Sequence, residues 1–524
     1  MRRSGPGSAA DPMAILRPTN RRLVTALDAA LKRVEPLVQG GEEGAVLAAA
    51  RTMVRELIRR SDPGFYLEHI EDGRRLLSRI ASSLGSEIRG ARALAINRAL
   101  GEGQPTDPSC VDFDVLGERI ASLQECFQGL IEHDEGAWAR QARAEVASIM
   151  AWENQFHQHQ AAPACAAAPA DLVPGDPVPP WPQITAETLQ RYLEEKWSDR
   201  NARLAGFHPV AGGFQKLTIL FDLADDTGRT EQLVLRGEQQ DRFVRTHLGA
   251  IEDEFEVLTI LRDLGLPVPE PVWLEDDSSR LGRVFMVSRK VPGRVVGTAV
   301  DLHGPLPEPV MRSFVTTLAR INTAPWRQYE TRIARSKLGY WLQFDRLADT
   351  TIAMVKFSRS RSIYPQNASP IAQETYRWLL DNVPDYDEEL CLLHADYGTH
   401  NILVDDSGVT AVLDWETVRL GDAAEDLAYF LHSTRAHVDR EKALAWYEDA
   451  SGIKMGAYRL AYWDVFNVYK VMIGVTAARA IFSASDRARG EWYTLASWID
   501  GAMKSAPRLL EAAEKARRSR SLRR

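Results

Sequence analysis

The sequence predicts an α+β fold: a small β-rich lobe followed by a larger helical lobe, with a cleft between them and a helical bundle in front. Three observations predict it. Apolar residues recur at helical spacing through roughly the first 160 residues, a proline-rich stretch interrupts them, and strand-like runs appear only after that stretch. The 524 residues, 45% hydrophobic and 26% charged with a formal net charge of −8, suffice for about three domains or lobes. They allow a large core and argue against wholesale disorder. No apolar run approaches the ~20 residues of a membrane helix, and Met1 to Asn20 lacks a stretch of signal-peptide type. The cysteines Cys110, Cys126, Cys165 and Cys391 are isolated, without the paired spacing of a zinc site or a disulfide framework. A cytoplasmic protein that engages neither nucleic acid nor membrane is the expectation.

The elements follow in order. Residues 1–20 are expected to be a flexible N-terminus and residues 21–158 a bundle of about five helices. Leu23, Leu27, Leu31, Val34 and Leu37 share a helical face, as do Leu47, Ala50, Val54 and Leu57, and then Leu116, Ile120, Leu123, Phe127 and Leu130. Asp62-Pro63-Gly64 and Gly103-Gln104-Pro105 punctuate them. Nothing in the bundle converges on chemistry; His69 and His133 read as lone surface or core histidines. The bundle is expected to bind a protein or another subunit. Residues 159–183 form a linker with prolines at 163, 169, 174, 177, 179, 180 and 182, a composition that favours extended, semi-rigid chain. It should separate the bundle from everything after it.

Residues 184–290 make the small lobe. Thr185 to Trp197 reads as an amphipathic helix, Leu217 to Leu223 and Gln232 to Arg236 as strands around a turn at Gly228. Glu252 to Leu264 reads as a helix stopped by Gly265 and Pro267, and Val284 to Val287 as a further strand. Residues 291–510 make the helical lobe, with a short β-rich insert around 391–414. Residues 511–524 are a basic tail, read as a solvated, frayed end or, second, as a contact for an anionic surface.

The sharpest chemical signal is Leu393-His394-Ala395-Asp396-Tyr397-Gly398-Thr399-His400-Asn401-Ile402-Leu403-Val404. An Asp and an Asn five residues apart on a tight loop can accept a hydroxyl proton and ligate magnesium, respectively. Thirteen residues past Asn401, the apolar run Ala411-Val412-Leu413 delivers Asp414, well placed as a second metal ligand toward nucleotide phosphates. In the small lobe, Ala211-Gly212-Gly213-Phe214-Gln215-Lys216 is a glycine-bearing turn ahead of a strand, where the backbone can approach phosphates closely. Arg236, ending Val234-Leu235-Arg236, offers a cation for the α/β-phosphates, and Glu254, with Glu256 behind it, offers a carboxylate to orient that cation.

These motifs, with Gly421-Asp422-Ala423-Ala424-Glu425-Asp426-Leu427-Ala428 and Gly265-Leu266-Pro267-Val268-Pro269-Glu270-Pro271, resemble the aminoglycoside phosphotransferase superfamily. That superfamily includes choline-kinase-like and fructosamine-kinase-like enzymes. The resemblance runs from about Thr185 to Ala506, and Arg in place of Lys at 236 is similar to the branch of kinase-like domains fused to some acyl-CoA dehydrogenases. It implies a protein-kinase-like bilobal fold and transfer of a phosphoryl group from ATP or GTP, with Mg²⁺, to a small-molecule hydroxyl. By the same resemblance Asp396 is the catalytic base, and Asn401 and Asp414 hold Mg²⁺. Gly212, Gly213, Phe214 and Lys216 cover the phosphates, Arg236 with Glu254 grips them, and Val287 lies in a hinge at Met286–Arg289 beside the nucleotide base. His394, Asp422 and Asp426 support the loop. The family often has Gly where Ala395 stands, a small change on sequence grounds. The segment from Trp341 to Asn367 carries Phe344, Arg346, Lys356, Arg359, Arg361 and Tyr364. Its basic and aromatic character favours a neutral or anionic acceptor over a polycationic one. The competing expectation is a nucleotide-binding pseudo-kinase or regulatory module that signals through the bundle.

Overall fold

A computed structural model describes residues 63–84, 91–101, 113–132, 136–159, 183–197, 202–210, 216–225, 228–238, 250–298, 302–360, 369–434, 437–474 and 490–521. The expected flexible N-terminus, the periodic segments between Leu23 and Leu57, most of the linker, and Gly212, Gly213, Phe214, Arg361 and Tyr364 lie outside the described residues. The first helices are α1 (Pro63–Leu84), α2 (Ala91–Gly101), α3 (Phe113–Ile131), α4 (Ala137–Gln141) and α5 (Arg143–His159). They bear out the helical periodicity of this region.

The small lobe opens with α6 (Ala186–Lys196), capped reciprocally by Thr185 and Thr188, the arrangement that satisfies the first free N–H groups of a helix. Then come β1 (Arg203–Pro209), β2 (Lys216–Ala224), β3 (Thr230–Glu238), α7 (Ile251–Asp263), β4 (Pro271–Glu275) and β5 (Phe285–Arg289). The strands form one antiparallel sheet in the order β1-β2-β3-β5-β4. Side chains alternate between its faces. Ile219, Phe221, Leu233, Leu235, Phe285 and Val287 pack with Leu189, Tyr192 and Leu193 of α6 into the lobe's own core. Met286 belongs instead to the larger core shared with α7. The sequence reading found the three inner strands and missed the two edges. β1 carries a register shift between Leu204 and Gly206 that breaks its alternation, and β4 begins at a proline, which an edge strand tolerates.

The large lobe contains β6 (Arg294–Val295), α8 (Glu308–Asn322), α9 (Glu330–Ile333), α10 (Leu347–Ser360), α11 (Pro370–Asp381), β7 (Cys391–Leu393), β8 (Ile402–Asp405), β9 (Gly408–Val412) and β10 (Arg419–Gly421). It closes with α12 (Ala424–Ser433), α13 (Arg440–Ser451), α14 (Ala457–Gly474) and α15 (Gly490–Ser521). β7 pairs with β10, and β6, β8 and β9 form a three-stranded sheet, so the loop 394–401 hangs between two small sheets. Together these lobes make the kinase-like α+β fold expected from the sequence.

Two expectations are corrected. The bundle is not held apart by the linker: Leu123, Phe127, Ile149 and Phe156 share one continuous apolar core with the large lobe. Polar contacts stitch the same seam. The Glu153 carboxylate accepts the backbone N–H of Ile371 at 2.6 Å, Gln128 accepts that of Ser369 at 3.0 Å, and Arg140 and Arg359 pair with Asp381 and Glu132 at 2.8 and 2.9 Å. Nor is the basic tail frayed over its described residues, 511–521. α15 runs to Ser521, Ala513 is buried, and Arg520 lies 4.5 Å from the centre of the Tyr386 ring. Among the described residues, no helix is long and apolar enough to cross a membrane.

Candidate active site

The loop 394–401 is held by its neighbours. His394 is buried; its Nδ1 accepts the Asp396 N–H at 3.2 Å, which leaves Nε2–H to donate to the Leu413 carbonyl at 2.8 Å. Burial also disfavours the charged imidazole, so the ring braces the loop as a neutral group. Asp426, likewise buried, accepts the backbone N–H groups of His394 at 2.8 Å and Ala395 at 2.7 Å. Asp422 does not touch the loop, contrary to expectation. It accepts from Arg459 Nε at 2.8 Å, Trp463 at 3.0 Å and Ala424 N at 2.9 Å, and so ties the start of α12 to α14.

Ala395 stands at φ 62° and Asp414 at φ 62°, the positive-φ non-glycine residues among those described. Such backbone costs about 1–2 kcal/mol per residue. The alanine at 395, taken on sequence grounds as a small change from glycine, therefore stands on strained backbone that glycine would adopt freely. The Lys470 ammonium, from α14, donates to the Ala395 carbonyl at 2.7 Å and holds that turn.

Asp396 is the loop's one carboxylate, and it is held from several sides. Asn401 Nδ2 donates to its Oδ2 at 3.2 Å and to its backbone carbonyl at 3.1 Å; His400 Nε2 lies 3.6 Å away, and the Tyr429 hydroxyl faces it. Burial pushes the Asp396 carboxyl up, but the neighbouring His400 imidazole and the Lys470 ammonium outweigh it and hold the group well below the usual carboxylate range. A Cβ at Gly398 would sit 2.6 Å from the His400 ring, so this approach requires glycine there.

Across the cleft, Arg236 on β3 joins the lobes. Its guanidinium meets Asp414 at 2.9 Å and Glu254, on α7, at 3.4 Å. Burial works against its charge, and the two carboxylates more than restore it. Lys216, buried at the start of β2, places Nζ 3.9 Å from the other oxygen of Glu254. Glu416 is a third carboxylate beside this group and, like Glu254, buried; it is pushed up to about 8 by burial and by Asp414. Glu256 is not behind Glu254; it pairs with Arg332 at 2.9 Å. Val287 is also displaced from its expected role. It sits in mid-sheet opposite Leu235 and Trp273, its side chain in the small-lobe core, so the chain leaves the sheet only after Arg289.

The donor set fits a magnesium ion shared with phosphates. Asn401 spends its amide nitrogen on Asp396, which leaves the amide oxygen as the hard ligand, and Asp414 supplies a carboxylate. Among the described residues, no group of three His, Cys, Asp or Glu is arranged to hold a metal. Sequence reasoning missed Lys470, Tyr429, His400 and Glu416. His400 and Glu416 stand inside the motifs and were legible there. Lys470 is nearly a full domain away in sequence and had no signal.

The chain was compared with known proteins. The model of the phosphotransferase enzyme family (APH) matches residues 206–461. Acyl-CoA dehydrogenase family member 11 of Homo sapiens is 32% identical over 187 residues, 34% of this chain and 22% of that protein. Acyl-CoA dehydrogenase family member 10 of Mus musculus is 26% identical over 249 residues, 47% of this chain and 22% of that protein. The chain thus spans about a fifth of the length of these relatives. Hygromycin-B 4-O-kinase of Escherichia coli is 20% identical over 268 residues, 47% of this chain and 67% of that protein. A solved structure described as a putative aminoglycoside phosphotransferase from Ralstonia eutropha aligns with TM-score 0.47 and 19% identity over 64% of this chain and 99% of that one. The phosphotransferase enzyme family model thus covers the kinase-like region of the chain, residues 206–461, with its paired lobes and bridged cleft.

Proposed function

We propose that this chain is a Mg-nucleotide-dependent kinase that transfers the γ-phosphoryl group of ATP or GTP to a small-molecule hydroxyl in the cytoplasm. The observation that carries the reading is the bridge from Glu254 through Arg236 to Asp414, with Asn401 and Asp396 on the facing loop. Arg236 and Lys216 bind and orient the phosphates. Asp396 positions the acceptor hydroxyl and takes its proton as the oxygen bonds to phosphorus and the bond to the nucleoside diphosphate breaks. Magnesium, held by Asn401 and Asp414, would neutralise charge on the phosphates. Lys470, Tyr429 and Asp426 keep Asp396 aimed, so little reorganisation is left for the reacting state.

The acceptor is neutral or anionic. Part of the segment expected to supply specificity walls a cavity of about 700 Å³ lined by Tyr340, Phe344, Phe357 and four charged groups, Asp345, Arg346, Asp349 and Lys356. Two acids against two bases give no acidic wall for a polycation. The basic surplus expected from the sequence is spent elsewhere: Arg346 bonds Asp385 at 2.8 Å and Arg359 bonds Glu132 at 2.9 Å. Hydroxy acids and their thioesters are the first acceptors to try, the latter because two of the relatives are acyl-CoA dehydrogenase family members. The test is an acceptor screen with ATP and GTP that follows nucleoside diphosphate release, with Asp396→Asn as control. Turnover of a hydroxy acid or thioester, lost in the variant, supports the reading. Turnover of aminoglycosides alone contradicts the acceptor class. Nucleotide binding without multiple turnover on any acceptor would favour the regulatory module.

A further inference from the structure

Part of the seam between the helical bundle and the large lobe leads to the catalytic loop. Lys470, near the end of α14, donates to the Ala395 carbonyl at 2.7 Å. Its ammonium lies 4.5 Å from the centre of the Tyr429 ring, whose hydroxyl faces Asp396. The aim of Asp396 therefore depends on where this end of α14 sits. Tyr469, the residue before Lys470, is buried and points to another side of the helix, because successive side chains turn by about 100°. Its ring packs 5.9 Å from that of Tyr376 on α11, at an angle of 32°. Arg359, near the end of α10, places its guanidinium 4.5 Å from the centre of the Tyr376 ring. Glu132, just past the end of α3 in the bundle, binds that guanidinium at 2.9 Å. Arg359 and Tyr469 also line one small cavity of about 20 Å³, with Gln128 of the bundle and Ser369 and Gln373 at the start of α11.

A guanidinium suits this junction. Its flat face stacks on an aromatic ring while its N–H edge meets a carboxylate. With Glu132 on that edge, Arg359 cannot swing off Tyr376 without giving up its ion pair. The pair is about a third exposed on each side (36% and 37%), so as a salt bridge it adds little to stability and serves mainly to orient. The same seam supplies a contrast. Arg140 of the bundle pairs at 2.8 Å with Asp381, the last residue of α11, well past Tyr376.

We propose that Arg359 is a positioning residue for the catalytic loop. Anchored by Glu132 of the bundle, it seats Tyr376 against Tyr469, and so fixes the end of α14 from which Lys470 holds the Ala395 turn beside Asp396. The bundle thereby acts on the loop within one chain. Its effect on turnover rests on the nucleotide reading above; the coupling of bundle to loop does not.

The experiment follows backbone hydrogen exchange of the full chain, without ligand, by mass spectrometry of a peptide spanning 394–401. The variants are Arg359→Met, Glu132→Gln, Lys470→Met, the double variant Arg359→Met with Lys470→Met, and Arg140→Met as the contrast. Arg359→Met and Glu132→Gln should speed exchange of the loop peptide about threefold, and Arg140→Met should leave it unchanged. Lys470→Met should speed it more, and Arg359→Met should add nothing once Lys470 is replaced. Release of nucleoside diphosphate from Mg-ATP or Mg-GTP should fall by a similar factor in Arg359→Met, at unchanged nucleotide KM, and Arg359→Lys should recover part of both losses. An unchanged loop in Arg359→Met, an equal change in Arg140→Met, or additive effects of Arg359→Met and Lys470→Met overturns the proposal and leaves the nucleotide reading standing. If the unmodified chain releases no nucleoside diphosphate, the kinase reading fails, and the exchange comparison by itself upholds or overturns the coupling of bundle to loop.

Discussion

The cleft and the seam beneath the helical bundle both bury carboxylates, but they use them differently. At the seam, Glu153 receives the Ile371 N–H at 2.6 Å and the Gln124 amide at 3.1 Å, and Glu374 is locked to Arg377. These acids bond helix ends and neighbouring side chains of the scaffold. In the cleft, Asp414 stands on left-handed backbone and answers to a single cation of the other lobe, and the Asp396 loop is bent through a strained alanine. Backbone strain together with acceptor capacity toward the gap separates the working carboxylates from the structural ones. Burial alone does not, since Asp422 and Asp426 are more deeply buried than Asp396.

That contrast can be broken by substitution, beginning with the largest effect. Asp396→Asn should keep Mg-nucleotide affinity and lower turnover by a factor of about 10²–10⁴; steady-state kinetics beside calorimetry would show it, and near-normal turnover would return Asp396 to the structural class. Glu153→Ala should do the reverse. It strips a charged acceptor from a buried helix N-terminus and should cost about 2–3 kcal/mol of stability in denaturant unfolding, with nucleotide affinity unchanged. Lys470→Met sits between the two, because it loosens the Ala395 carbonyl without touching the nucleotide. Turnover should fall about tenfold at constant nucleotide KM, and Lys470→Arg should recover part of it.

The smallest effect is at the far end of the chain. Glu514, bonded by Arg517, is held at about 2. A depressed carboxyl stabilises the folded form above its ordinary value of 4.5, and that contribution is lost as pH falls from 4.5 toward 2. The pair is largely solvated, so the change should stay below about 1 kcal/mol, and Glu514→Gln should flatten melting temperature across that window only.

The sequence exposed the parts of this site that are contiguous. The loop 394–401, Asp414 and the strands carrying Lys216 and Arg236 each lie within a short run whose alternation or spacing is local. The inner strands were legible for the same reason; β1 and β4 were not, because edge strands admit a bulge and prolines that erase the pattern. The seam was illegible because Gln128, Glu132 and Glu153 read as ordinary polar residues until α10 and α11 arrive from more than two hundred residues away. Asp422 was assigned to the loop by the resemblance of its motif, whereas its partners Arg459 and Trp463 come from α14. Glu256 failed similarly: one step along α7 from a cleft position turns a side chain by about 100°, and two steps carry it to Arg332.

The most direct test of the central claim is thermal stabilisation of the protein by ATP and by GTP, each with and without Mg²⁺, alongside Asp414→Ala. The account predicts a shift that requires the metal, appears with at least one nucleotide, and disappears in the variant. No shift with either nucleotide, or a metal-dependent shift that Asp414→Ala retains in full, would contradict it.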